Sequence, residues 1–140
     1  MKLKWLGIIL LGSTVSLYGC SDNTAETRWY TQEQVKRGNI LYQNNCARCH
    51  QTDASGHANV KDGNTAPALN GTEHTWHHSF SALRRTVKQG GIKLGGTMPG
   101  FSEKLSNEEI DNILAWVQSH WSDKIYSAWD NRNKQSLQNN

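Results

Sequence analysis

Three stretches of the chain carry apolar residues at helical spacing, and each follows a hydroxyl side chain that can cap a helix. They begin after Thr31, Ser79 and Ser106, and they end near Asn44 or Asn45, at Gly90-Gly91 and at about Trp121. Gln34 and Glu109 complete capping boxes for the first and third stretches. Because no segment alternates apolar and polar residues over a useful length, the pattern predicts an all-α fold.

The segments between these helices, residues 51–78 and 92–105, are long and have no sustained period. In a small domain, a loop as long as the first one usually has a function or wraps around a ligand. After Trp121, the pattern of residues 122–129 predicts a short additional helix. Residues 131–140 are polar, and we expect them to fray.

The composition indicates one small domain that has too few apolar side chains to fill its own interior. The chain has 140 residues, of which 36% are apolar, and such a short and polar chain buries little core. Its net charge of +3 is scattered along the sequence, which does not favour a nucleic-acid partner. Three cysteines cannot all pair with one another, so at least one of them has a different role.

The N-terminus predicts export. Two lysines precede an apolar run from Trp5 to about Leu17, which is too short to span a bilayer comfortably. Residues 1–19 resemble a bacterial lipoprotein signal peptide, with Cys20 as the lipidated first residue of the mature chain. A plain secretory signal with an incidental Cys20 is the alternative. With the lipid, the polar segment 20–28 becomes a tether that holds the protein to a membrane on the periplasmic side.

The sequence Cys46-Ala47-Arg48-Cys49-His50 is the pattern for covalent haem attachment. Two thiols three residues apart lie on one side of a helical turn, where they can add to both vinyl groups of one porphyrin. The adjacent histidine then meets the iron. The alternatives are a thioredoxin-like dithiol, which expects a preceding strand, and half of a zinc site, which lacks a second cysteine pair. A haem also fills the interior that this polar chain leaves open.

The mature chain has a single methionine, Met98, in the loop Gly95–Phe101. A lone methionine is ordinarily a filler of the core, but a loop so rich in glycine makes a poor core. Once a haem is assigned, Met98 is the predicted sixth ligand, because the glycines allow close approach to the ring and Pro99 stiffens the chain. Such His/Met ligation raises the reduction potential relative to two histidines and closes the iron to substrates.

With these motifs in place, residues 29–121 resemble a class I cytochrome c. The resemblance implies three to five helices and long loops wrapped around one covalently bound haem c. It implies a crossing of the first and last helices, carried by Gly38 and Tyr42 on one side and by Ile113, Trp116 and Val117 on the other. It further implies that the carbonyl of Pro67 accepts the remaining N–H of His50, and that Leu69 packs on the haem.

The expected function is electron transfer, not enzymatic catalysis. We expect a one-electron carrier whose partners are membrane respiratory or copper-linked oxidoreductases, with no small-molecule substrate. One alternative is a small haem enzyme or gas sensor with a labile sixth ligand, which Met98 opposes. Another is a structural haem subunit of a larger complex, for which residues 122–140 are the only support.

Two polar clusters leave alternatives open. The first consists of His74, His77 and His78. It forms a second metal site or a contact with a copper protein, or its side chains are solvated or bonded to haem propionates. The second consists of Arg84, Arg85, Lys88 and Lys93. It either steers an acidic partner to the haem rim or forms a solvated face.

Overall fold

The computed structural model describes residues 27–57 and 66–138. Its α-helices are α1 (Gln32–Asn45), α2 (Ala47–His50), α3 (Phe80–Gln89), α4 (Asn107–Ser119) and α5 (Asp123–Gln138), and 3₁₀ turns lie at His74–His77 and Ile92–Leu94. Within these two ranges, extended pairing is limited to one isolated bridge between His57 and Ala66. The prediction of a small all-α fold is therefore confirmed. The predicted signal peptide, Cys20 and the tether up to residue 26 lie outside the described residues.

The three main helices begin where their caps predict. Thr31 accepts a hydrogen bond from the Gln34 amide at 3.2 Å, and the Gln34 side chain accepts one from the Thr31 amide at 2.9 Å. Ser106 and Glu109 form the same reciprocal pair at α4, and Ser79 caps α3. Each such cap stabilises its helix by about 1 kcal/mol, so local sequence alone sets these starts.

The crossing of α1 and α4 depends on a glycine. A Cβ atom at Gly38 would lie 1.8 Å from the carbonyl oxygen of Asn112, so no other residue fits there without separating the helices. One turn further along α1, the buried ring of Tyr42 packs against Trp116, with ring centroids 4.1 Å apart. The predicted helix crossing is confirmed at both positions.

The end of α4 differs from the prediction. The helix ends at Ser119, because its last turn tightens so that the amides of His120 and Trp121 bond the carbonyls three residues earlier. This turn directs Trp121 back to the domain, where its indole N–H donates to the carbonyl of Leu69 at 2.8 Å. Trp121 is therefore a core residue that follows the helix.

The C-terminal helix α5 is longer than predicted and is packed into the core. The prediction that residues 131–140 fray is wrong for residues 131–138, which continue the helix. Tyr126 and Trp129 are each 1% exposed, and the Trp129 indole donates to the carbonyl of His78 at 3.0 Å. Asn133 accepts a hydrogen bond from the amide of Phe80, the first residue of α3. The polar sequence of α5 does not predict this packing, because only a few contacts with distant residues hold the helix in place.

The first described residues also pack on the C-terminal half. The guanidinium of Arg28 lies 3.9 Å from the ring centre of Tyr126 and forms an ion pair with Asp123. The indole N–H of Trp29 donates to the Gln118 side chain at 2.6 Å. The chain thus enters the domain against α4 and α5. In the described ranges no helix combines the length and the apolar character that crossing a bilayer requires.

Candidate functional site

Cys46, Cys49 and His50 lie on one helical turn where α1 passes into α2. The Cys46 amide bonds the Tyr42 carbonyl, and the Cys46 carbonyl accepts from the amides of Cys49 at 3.1 Å and His50 at 2.9 Å. No disulfide joins these two cysteines, and Cys46 is half-buried while Cys49 is exposed. Burial raises the pKa of Cys46 to about 11, so this thiol is protonated at neutral pH. The backbone therefore forms the helical turn that the spacing of the two cysteines predicts.

His50 is buried and held in one orientation. Its side chain is largely covered, with 7% of the residue exposed, and its ring Nδ1 lies 3.0 Å from the carbonyl oxygen of Pro67. A carbonyl can only accept, so Nδ1 carries the proton and Nε2 keeps its lone pair. Burial lowers the pKa of His50, although the bond to Pro67 opposes this shift. The ring is therefore a neutral imidazole with one nitrogen free to bind a metal.

The turn after His50 is strained and supported by Tyr42. Gln51 and Ala54 have φ angles of +65° and +60°, in the left-handed region that side chains disfavour. The buried hydroxyl of Tyr42 donates to the carbonyl of Gln51 at 2.9 Å and lies 3.3 Å from that of His50. Burial also raises the pKa of Tyr42, so the hydroxyl keeps its proton. This side chain thus links the helix crossing to the histidine turn.

The carbonyls of residues 66 to 69 each accept a hydrogen bond from a different part of the chain. The donors are, in order, the His57 amide (2.7 Å), the His50 ring (3.0 Å), the Thr75 hydroxyl (2.8 Å) and the Trp121 indole (2.8 Å). Because the neighbouring carbonyls of Ala66 and Ala68 are also hydrogen-bonded, the backbone holds the Pro67 carbonyl in one direction. The resemblance to class I cytochromes c implied only the second of these donors, because bonds between side chains and distant backbone leave no local pattern in the sequence.

Gly56 lets this segment approach the histidine turn. Its φ is +74°, and a Cβ atom there would lie 2.5 Å from the Ala68 nitrogen and 2.6 Å from the Pro67 carbonyl carbon. Its amide donates to the carbonyl of His50 at 3.0 Å. Only glycine satisfies both the backbone angle and the close approach. In the sequence, this residue is merely one glycine in a long polar loop.

Met98 is held by a separate anchor. Its carbonyl accepts a hydrogen bond from the Gly91 amide at 2.9 Å, and the Phe101 amide donates to the Val87 carbonyl at 3.0 Å, which ties the loop to the end of α3. The Met98 side chain is half-buried. In the described residues, no hydrogen bond joins the loop of Met98 to the turn of His50. Leu69, by contrast, is bonded to that region through its amide and packs against the core.

These donor groups fit a covalently bound haem. A neutral imidazole with a free nitrogen would serve as an iron ligand, and two thiols on one turn would serve as the two attachment points. A soft thioether on an independently anchored loop is a suitable second ligand. Cys46, Cys49, His50 and Met98 would hold the group, and Pro67 would orient the imidazole.

The two polar clusters have other contacts. No group of three or more metal-ligating side chains occurs in the part of the chain that the structure describes, and the His77 ring packs edge-on against Trp76. Arg84 donates to Asp111 at 2.7 Å and lies over the ring of Phe80. The basic cluster therefore supplies less free charge than its sequence indicates.

Comparison with known proteins identifies the family. The model of the family described as "Cytochrome C oxidase, cbb3-type, subunit III" matches residues 33–117. The cbb3-type cytochrome c oxidase subunit FixP of Sinorhizobium medicae (strain WSM419) is 29% identical over 94 residues, which cover 63% of this chain and 30% of that protein. Subunit CcoP of an Azospirillum species (strain B510) is 31% identical over 87 residues, which cover 61% and 28%.

The matched segment is thus less than a third of either relative. No solved structure matches the chain. The family match runs from α1 into α4, so it contains the turn of His50, Pro67 and Met98 but not Trp121 or α5. The chain belongs to the family of subunit III of the cbb3-type cytochrome c oxidases, c-type cytochromes that carry covalently bound haem c.

Proposed function

We propose that this protein is a one-electron carrier whose haem c has His50 and Met98 as axial ligands. When bound, the haem supplies an iron centre that takes up and releases one electron. The observation that carries the proposal is the buried His50, whose Nδ1 proton is committed to the Pro67 carbonyl at 3.0 Å. That bond leaves Nε2 free and directs the imidazole at a fixed angle.

The proposed role of Met98 is to fill the second axial position so that the iron binds no substrate. A thioether is soft and neutral, so it favours the ferrous state and raises the reduction potential. The hydrogen bonds from Gly91 and Phe101 support this role, because they fix the loop without any help from the histidine turn. If His50 and Met98 hold the haem, their separate anchors would limit the movement of either residue when the iron changes oxidation state, which favours fast electron transfer.

We propose a membrane respiratory oxidase, or a copper-linked oxidoreductase, as the electron-transfer partner. Two relatives are named as subunits of cbb3-type cytochrome c oxidases, which supports a partner of the first kind. The N-terminal sequence supports export, with Cys20 lipidated and the domain held at the periplasmic face of the membrane. Anchoring would raise the local concentration of the carrier near such an oxidase.

Replacing Met98 by Ala tests the ligand assignment. The oxidised wild-type protein should show the weak red absorption band of iron–thioether coordination. The variant should lose this band, bind carbon monoxide readily and have a lower reduction potential. Leu94→Ala is the matched control, since Leu94 is in the preceding 3₁₀ turn and is 90% exposed. If Met98→Ala keeps the band and the potential, another residue is the ligand.

A further inference from the structure

The segment from Glu73 to Thr75 holds both backbone groups of Ala68. The Ala68 amide donates to a carboxylate oxygen of Glu73 at 3.2 Å, and the Ala68 carbonyl accepts from the Thr75 hydroxyl at 2.8 Å. Ala68 is 2% exposed and Thr75 is 7% exposed, while the Glu73 side chain reaches in from the surface. We call this arrangement the Glu73–Thr75 clasp.

The clasp acts on the peptide group that orients His50. The Ala68 N–H and the Pro67 carbonyl belong to the same peptide unit, so Glu73 bonds one end of it and the His50 ring bonds the other. Donation from an amide to a carboxylate pushes electron density onto the carbonyl oxygen of that amide, which makes it a stronger acceptor. A negative charge at one end of the peptide thus strengthens the hydrogen bond at the other end.

In the described residues, the Glu73 side chain forms neither an ion pair nor a helix cap. It forms no ion pair there, although five such pairs occur elsewhere in the domain. It precedes the 3₁₀ turn at His74–His77, but its side chain does not cap that turn. Its hydrogen bond goes to the Ala68 amide, beside the axial ligand.

We propose that Glu73 is a positioning residue that strengthens the His50–Pro67 hydrogen bond and lowers the reduction potential of the haem, while Thr75 fixes Ala68, the donor to Glu73, through its carbonyl. A stronger acceptor at Nδ1 gives the imidazole more imidazolate character, so it donates more electron density to the iron and favours the ferric state. Loss of the clasp therefore raises the potential. This inference rests on His50 ligation in the proposed function, but not on Met98.

Thr75→Val and Thr75→Ser test the clasp in the holoprotein without any change in charge. The valine variant should have a higher reduction potential than wild type, and exchange of its His50 Nδ1 proton, followed by NMR, should be up to about twofold faster, since the loss of one hydrogen bond weakens its neighbour by about 10–30%. The serine variant keeps the hydroxyl and should match wild type in both measurements. A Thr75→Val potential equal to that of wild type would overturn the proposal.

Glu73 is exposed, so the variants Glu73→Gln and Glu73→Ala test the Glu73–Thr75 clasp without disturbing the core. A purely Coulombic effect raises the potential equally in both variants and disappears at high salt. The clasp predicts a larger rise in Glu73→Ala, because the amide oxygen of glutamine still accepts from Ala68, and a rise that persists at high salt. Equal, salt-sensitive shifts would contradict the clasp. Failure of Met98 ligation is a separate result, visible as a missing red band in the wild type.

Discussion

Gly56→Ala should disrupt the histidine site, although Gly56 is not one of the proposed haem ligands. The φ of +74° costs an alanine about 1–2 kcal/mol in the left-handed region. The new Cβ would also lie 2.5 Å from the Ala68 nitrogen, where an ordinary contact needs at least 3.4 Å. The segment of Pro67 and Ala68 must then move by roughly 1 Å, because backbone atoms cannot rotate out of the way.

A displacement of this size reaches His50, the proposed iron ligand. The Nδ1–oxygen distance between His50 and Pro67 is 3.0 Å, so a further 1 Å removes the hydrogen bond. A lost bond of this kind costs about 1 kcal/mol. Together with the backbone strain, we expect the free energy of unfolding to fall by about 2–3 kcal/mol. The reduction potential should rise, since the imidazole donates less to the iron.

Gly95→Ala is a matched control for Gly56→Ala. Its φ is +83°, but a Cβ atom there has no neighbour within 4 Å, so this variant has the strain and not the collision. Guanidinium denaturation of both holoproteins gives the two losses in stability, and a redox titration gives the two potentials. Equal losses, with both potentials unchanged, would refute the reasoning that Gly56 is needed for the approach of Pro67.

Two further changes test the supports of the site and of the core. Tyr42→Phe removes the hydroxyl that bonds the carbonyls of His50 and Gln51 and should lower the free energy of unfolding by about 1–3 kcal/mol; an unchanged denaturation midpoint would contradict that role. Truncation after Ser122 removes the buried rings of Tyr126 and Trp129 and should cost at least about 5 kcal/mol. Truncation after Gln138 is its control, and a near-ultraviolet circular dichroism spectrum that survives truncation after Ser122 would show that α5 is not part of the core.

Local signals predicted most of the fold. The caps at Thr31, Ser79 and Ser106 set the starts of three helices, because a cap is a contact between residues only three apart. The Cys46–His50 motif is equally local, since one helical turn brings its groups together. The crossing at Gly38 followed from resemblance to a family, and the structure confirms it by the close approach of Asn112.

Contacts between distant residues could not be predicted in this way. The bonds of Leu69 to Trp121 and of Ala68 to Thr75 join side chains to backbone across loops, so neither partner belongs to a periodic pattern. The polar composition of residues 131–140 predicts a frayed end, yet Trp129 bonds the carbonyl of His78 and Asn133 bonds the amide of Phe80, and both contacts hold α5 on the domain. Periodicity detects a continuous apolar face, and it does not detect a helix held by two buried rings and a few hydrogen bonds.

The most direct test of the central claim is extraction of the purified holoprotein with acidified acetone. Covalent attachment through Cys46 and Cys49 predicts that the red pigment stays with the precipitated protein, and that its pyridine haemochrome has the spectrum of a haem whose two vinyl groups have reacted. A pigment that passes into the acetone, or a protein that is colourless after export, would contradict the account.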